Sequence, residues 1–283
     1  MDFQILPGEA LNLKTFPRNV TDAELTRKKA KKRLESNIER MRQLQDMMFA
    51  HNRYSLLIVF QAMDTAGKDG AIKHVMSGLN PQGTQVKSFK KPSEEELQHD
   101  YLWRCNKHLP ERGNIGIFNR SYYEEVLVVR VHNLIKNQFI PEKLVSDGIW
   151  EQRYRQIRDY EQYLTENGTV ILKFFLHISR EEQKDRLLAR INNKSKNWKF
   201  SQADIEERRY WDKYQECYED AIKATSTANA PWFIIPSNQK WFARLAISEI
   251  IINKLDSLGL AYPELDQGKI EELETWKKRL LAD

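Results

Sequence analysis

"SLLIVFQAMDTAGKDG" (55–70) decides the fold. An apolar run passes directly into a short stretch carrying two glycines and a lysine, and a helical pattern, "DGAIKHVMSGL" (69–79), follows. That order builds a phosphate loop: successive backbone N–H groups and a helix N-terminus face the anion, and a lysine reaches its outer oxygens. The loop is read as Ala66, Gly67, Lys68, Asp69 and Gly70, with the glycines permitting close backbone approach and Lys68 supplying the charge. Two departures from the Walker A pattern matter. Ala62 replaces the first glycine, and Asp69 stands where a Ser or Thr would ligate Mg²⁺. A second carboxylate, Asp64, lies inside the loop; phosphates would repel it unless a cation lay between, so Asp64 is assigned as a Mg²⁺ ligand.

Working outward, "SLLIVFQ" (55–61), "TQVKSF" (84–89), "IGIFN" (115–119), "VILKFFLHIS" (170–179) and "WFIIPS" (232–237) are strand candidates. They are nearly continuous in hydrophobics, as strands buried on both faces are. Helical patterns alternate with them. Thr21-x-x-Glu24 predicts a capping box for a helix over 21–52 with Leu34, Ile38, Met41, Leu44 and Met48 on one face and "RKKAKKR" on the other. Pro92-Ser93-x-x-Glu96 predicts a helix carrying Leu97, Tyr101, Leu102 and Cys105; Pro141 one running to Gly168; and Ser179-x-x-Glu182 a third. The expected fold is α/β: a P-loop kinase-like three-layer αβα sandwich on a five-stranded parallel sheet, with ligands beyond the strand carboxyl ends. We divide it into an N-terminal extension and helix (1–54), a core (55–260) with a helical lid insertion at about 180–214, and a C-terminal amphipathic helix (261–283).

A second constellation is "GIFNRSYYEEVLVVRV" (116–131). The strand end that would supply a metal-proximal carboxylate offers Asn119 instead, followed by Arg120, whose guanidinium would stabilise charge on a transferring phosphoryl group. Glu124 and Glu125 are candidates to hold water on the metal; a solvated helix face explains them equally well. The third is "SREEQKDRLLARINNKSKNWKFSQADIEERRYWDKY" (179–214), a basic hairpin with Arg186 and Arg190 four apart, read as a lid that closes over phosphates and excludes water. Its Tyr210, Trp211 and Tyr214 are read as packing residues. Lys87, Lys90 and Lys91 are candidates to extend a basic groove.

Together these stretches resemble the polyphosphate kinase 2 family from about Leu34 to Leu258. "DTAGKDG" is similar to that family's loop, "FNRSYYE" to its second block and "WKFSQADIEERRYWDKYQECYEDAI" to its lid and following helix. The resemblance implies Mg²⁺-dependent phosphoryl transfer between inorganic polyphosphate and AMP, ADP, GMP or GDP, with Mn²⁺ able to replace Mg²⁺. It implies catalytic roles for Asp64, Lys68 and Arg120, nucleotide binding by Asn119, Arg120, Tyr122 and Glu124, and metal contacts from Asp64, Asn119 and Glu124. Lys73, Arg130, Arg186 and Arg190 would line a polyphosphate path. Asn119 resembles the subgroup accepting both mono- and diphosphates, class III. A homo-oligomer, dimer or tetramer, is also implied.

Two rival readings stand. One is an ATP-dependent nucleotide kinase, against which Asp69 and Asp64 speak. The other is a non-catalytic polyanion- or nucleic-acid-binding module, for which no recognised motif is present. The net charge of +5 over 283 residues agrees with an anionic partner but does not choose one. Cys105 and Cys217 lack disulfide or zinc spacing, and no stretch approaches the roughly 18 apolar residues of a membrane span, so a cytoplasmic setting without membrane contact is expected. The stripe Ile270, Leu273, Trp276, Leu280 and Leu281 is expected to dock on the body or on a sister subunit.

Overall fold

The computed structural model describes residues 3–21 and 24–282, without the Lys199 side chain. Its strands are β1 (Gln4–Ile5), β2 (Ser55–Ala62), β3 (Thr84–Ser88), β4 (Ile115–Asn119), β5 (Thr169–His177) and β6 (Trp232–Pro236). Its α-helices are α1 (Arg27–His51), α2 (Lys68–Val75), α3 (Glu94–Leu97), α4 (Trp103–Asn106), α5 (Val128–Val131), α6 (Ile149–Glu166), α7 (Arg180–Asn192), α8 (Gln202–Glu206), α9 (Trp211–Thr225), α10 (Lys240–Asp256) and α11 (Gln267–Leu280).

The sheet order is β1-β6-β5-β2-β4-β3. The five expected strands are all parallel; β2 is buried along its whole length and β5 along all but Thr169, whereas β3, at the sheet edge, has no buried residue, against the expectation of burial on both faces. Helices on both faces make the sandwich. The correction is at the edge: β1 adds a sixth, antiparallel strand, pairing Gln4 with Phe233 and Ile5 with Trp232, so the sheet is mixed. Two residues are too few to show a period of two, which is why the sequence gives no sign of it.

Two helix starts and one helix end also differ. Arg27 begins α1, with the Thr26 hydroxyl accepting from the Lys29 N–H, so Thr26 and not Thr21 is its cap. Upstream, the Arg18 carbonyl accepts from the Asn238 N–H and the Val20 N–H donates to the Gln239 side chain, tying that segment to the β6–α10 turn. Residues 22 and 23 of the expected start lie outside the described residues. The capping box at Ser93 and Glu96 forms as expected, but the helix stops at Leu97. Asp100 then opens a second start, its carboxylate accepting from the Leu102 N–H, in the local competition typical of Asp. After Pro141 only a 3₁₀ turn at Glu142–Leu144 forms, and α6 begins at Ile149. Ser179 caps α7 as expected, accepting from the Glu182 N–H.

Met41, Leu44 and Met48 of α1 are buried, and α1 lies along α10 through Asn37–Ser248 (2.8 Å) and Arg40–Asp256 (2.6 Å) contacts. Trp211 and Tyr214 are core residues and Tyr210 packs edge-on against His132, so these three are packing groups, while Trp198 and Phe200 of the same hairpin are exposed. No helix among the described residues is long and apolar enough to cross a membrane.

Candidate active site

Because β2 is buried on both faces, the chain can leave the sheet only at its carboxyl end, and there it forms the loop. Thr65 (φ 64°) and Gly67 (φ 110°) are left-handed, a conformation that turns successive N–H groups into an anion-binding concavity. Lys68 starts α2 with its ammonium on the Ala62 carbonyl at 2.9 Å. Burial, then Arg120, pushes its pKa down, while Asp64, Glu124 and Asp69 oppose the shift.

Arg120 follows β4 in a left-handed conformation (φ 64°) that costs a non-glycine residue energy and recurs at functional sites. Its N–H extends the ladder to the Phe60 carbonyl at 3.0 Å, which aims the guanidinium across the loop. There it bonds Asp64 at 2.9 Å and lies 3.7 Å from Glu124. These carboxylates, Glu124 foremost, raise the arginine's pKa; burial raises that of Glu124 against the pull of Arg120 and Lys68. Asn119 donates its amide to Asp69 at 2.8 Å. The strand end without a carboxylate therefore holds one through the loop.

The lid is stitched to this loop. Gln183 donates to the Asp64 carbonyl at 3.0 Å. Arg186, 7 % exposed, gives Nε to Glu182 (2.7 Å), Nη1 to the Thr65 and Ala66 carbonyls (3.1 and 2.6 Å) and Nη2 to the Ser237 and Asn238 carbonyls (2.6 and 3.0 Å). All five N–H groups are thus bonded to the protein. Arg186 lines the cleft, as expected, and its guanidinium also clamps loop, lid and the β6–α10 turn together. Arg190 is bonded to Asp204 across the hairpin at 2.9 Å.

A cleft of about 700 Å³ opens over the loop. Lys90, Lys91, Arg190, Lys196, Lys240 and Arg244 supply cations to its wall, together with the loop residues, Asn119 and Arg120. Lys240 and Arg244 escaped the sequence reading; their only signal was a four-residue spacing at the start of the last core helix. Four predicted site residues are not among the cleft's lining; one of them, Glu124, stands behind it against Arg120. Tyr122 is 2 % exposed with its hydroxyl on Glu161 at 2.8 Å, a core residue. Arg130 is held by Tyr154 (2.6 Å) and Asp220 (2.9 Å), and Lys73 lies exposed along α2. Glu125 is buried against Arg153 (2.9 Å) and Gln138 (2.6 Å), which removes it as a holder of metal-bound water. Lys87 lies over the Phe89 ring outside the cleft wall.

A family model described as Polyphosphate kinase 2 matches residues 24–260. The chain belongs to the polyphosphate kinase 2 family. It is 48 % identical over 281 residues to an ADP-polyphosphate phosphotransferase of Rhodopseudomonas palustris, covering 99 % of this chain and 97 % of that one. It is 44 % identical over 263 residues to an AMP/ADP-polyphosphate phosphotransferase of Meiothermus ruber, covering 93 % and 95 %. The crystal structure of polyphosphate kinase 2 from Arthrobacter aurescens TC1 superposes with a TM-score of 0.87 at 38 % identity, over 96 % of this chain and 95 % of that one. For a polyphosphate kinase 2, the cationic wall extending past the loop is the feature a long polyanion requires.

Proposed function

We propose that this chain transfers phosphoryl groups between inorganic polyphosphate and AMP or ADP, with GMP and GDP as further acceptors, by direct in-line displacement. The observation that carries this reading is the set of six further cations on the cleft wall besides Lys68 and Arg120, more than one nucleotide's phosphates would occupy. Acceptance of both mono- and diphosphates draws support from the Meiothermus ruber relative's name and from Asn119.

Asp64, Asn119 and Glu124 offer hard oxygen donors suited to Mg²⁺ or Mn²⁺. Among the described residues no three acidic, histidine or cysteine side chains converge into a cage. That fits a cation held by one or two side chains and largely by substrate phosphates. Such an ion screens the repulsion between two polyanions and the charge that builds during transfer.

The chain's own residues do the rest. Lys68 exchanges the Ala62 carbonyl for phosphate oxygens, and Arg120, fixed by its backbone and by Asp64, stabilises the equatorial charge. Arg190 and Lys196 bring the lid over the phosphates and exclude water. A nucleotide phosphate is already ionised at neutral pH, so no general base is needed, and no histidine lines the cleft for a covalent intermediate. The two cysteines are buried and free, in keeping with the reducing cytoplasmic setting we assign.

The test is transfer to AMP and to ADP with Mg²⁺, offering polyphosphate or ATP as sole donor, beside Asp64→Asn and Lys68→Ala. Turnover from polyphosphate on both acceptors, lost in both variants, is expected. Transfer from ATP alone would make this an ordinary nucleotide kinase.

A further inference from the structure

The C-terminal stripe does not dock on the body: Ile270, Leu273, Trp276, Leu280 and Leu281 all stand exposed. A second exposed segment is tied down. Lys90 to Glu95, which leads from β3 into α3, is exposed at every residue, so apolar packing does not fix it. It nevertheless carries Lys90 and Lys91 into the cleft wall. Arg104 of α4 holds this segment at both ends. Only 11 % exposed, its side chain donates Nη2 to the Lys90 carbonyl at 2.7 Å and Nη1 to Glu96 at 3.2 Å. The guanidinium lies 5.1 Å over the Phe89 ring, and that ring packs edge-on against Phe118 of β4 at 4.9 Å. The Glu96 oxygen that Arg104 holds also accepts from the Ser93 N–H at 2.9 Å.

Arg104 itself does not line the cleft. We propose that it is a positioning residue for the donor: it fixes the Lys90–Lys91 segment against the polyphosphate without touching it. The proposal rests on polyphosphate occupying the cleft. A lysine on a loose segment must be ordered by every substrate that binds, whereas one held beforehand loses no backbone freedom at that moment. A planar guanidinium suits the task, since one rigid fork reaches both a carboxylate and a carbonyl. Its pairing with Glu96 also offsets its charge, which leaves Lys90 and Lys91 as the cations that face the phosphates on this side.

The test compares the parent, Arg104→Gln, Lys90→Gln/Lys91→Gln and the triple variant, in initial rates with polyphosphate varied and in anisotropy titrations with end-labelled inorganic polyphosphate. Arg104→Gln is expected to raise KM and Kd for polyphosphate about tenfold, as re-ordering about one backbone residue on binding would. Its kcat and its KM for ADP stay near the parent's. The triple variant is expected to bind no more weakly than the lysine pair, because a segment without its cations gains nothing from being held. Arg104→Lys keeps the charge and the apolar stem on Phe89, so it serves where Arg104→Gln does not fold. One ammonium cannot bridge Glu96 and the Lys90 carbonyl, so the same rise in KM is expected. Losses that multiply in the triple variant overturn the proposal, since Arg104 would then act on phosphate independently of the lysines. A fall in kcat or Tm with KM unchanged overturns it too, as does an Arg104→Lys enzyme with the parent's KM. A parent that binds polyphosphate but transfers only from ATP overturns the phosphotransferase reading alone, and the titrations still decide the role of Arg104; a parent that does not bind polyphosphate overturns both.

Discussion

Replacing Arg186 with Met removes five hydrogen bonds, four of them onto backbone carbonyls of the loop and the β6–α10 turn. At roughly 1.5 kcal/mol for each bond made by a charged group the gross loss is about 7 kcal/mol. Water entering the vacated space and the apolar stem of methionine return part of it, leaving a net cost of about 3–5 kcal/mol, the range for breaking a buried charged contact. For a chain of this size that lowers Tm by about 5–8 °C. Arg186→Lys tests the cause, because it keeps the charge but cannot span Glu182, the loop and the turn with one planar fork. We expect both variants to melt early and to lose kcat, with KM for polyphosphate and its salt dependence near the parent's. Arg190→Gln and Lys240→Gln should instead keep Tm within about 1 °C, raise KM for polyphosphate and lower the salt slope of log(kcat/KM) by about one each, as lost phosphate contacts do. A calorimetric scan and a salt series on the four variants suffice. An Arg186→Met enzyme with the parent's Tm and a reduced salt slope would refute the clamp.

Lys173 and Glu161, wholly buried in contact at 2.6 Å with Tyr122 and Tyr123 on the same carboxylate, should show strong coupling in urea unfolding. Lys173→Met alone is expected to cost about 3–5 kcal/mol, and Lys173→Met with Glu161→Leu distinctly less, since the stranded charge is then gone. Burial holds the His177 imidazole down to about 4. The unfolded chain therefore takes up a proton below about pH 6.5 that the folded chain refuses, so stability falls with pH from there toward 4, by roughly 2 kcal/mol at pH 5. His177→Gln should flatten that part of a stability–pH curve from urea titrations. Asn119→Asp places a second carboxylate where an amide now donates to Asp69 at 2.8 Å. We expect kcat/KM to drop about tenfold, with partial recovery on adding Asp69→Asn, because close like charges disfavour the ionised pair; equal loss in the single and double variants would argue against it.

The five parallel strands, the phosphate loop and the cap of α7 were legible because each rests on rules that act within a few residues. A strand covered on both faces, as β2 is, must be apolar throughout, and a left-handed loop turn favours glycine; the edge strand β3 is exposed and follows no such rule. The same locality misled at Thr21, since Thr26 caps α1 while Arg18 and Val20 just upstream bond Asn238 and Gln239, and at Tyr122 and Arg130, whose motif positions say nothing about which way the segment faces. Lys240 and Arg244 join the site only because the crossover after β6 returns α10 to the carboxyl edge of β2. Arg186 reads as one more basic residue in a basic lid until four carbonyls from two distant loops are seen around it. The sequence by itself determined that a phosphate loop sits at the end of a buried parallel sheet, since the backbone conformations involved are set by the residues that adopt them. Only the tertiary structure decided which cations face the cleft and which are consumed holding it together, because that depends on long-range packing that no local pattern encodes.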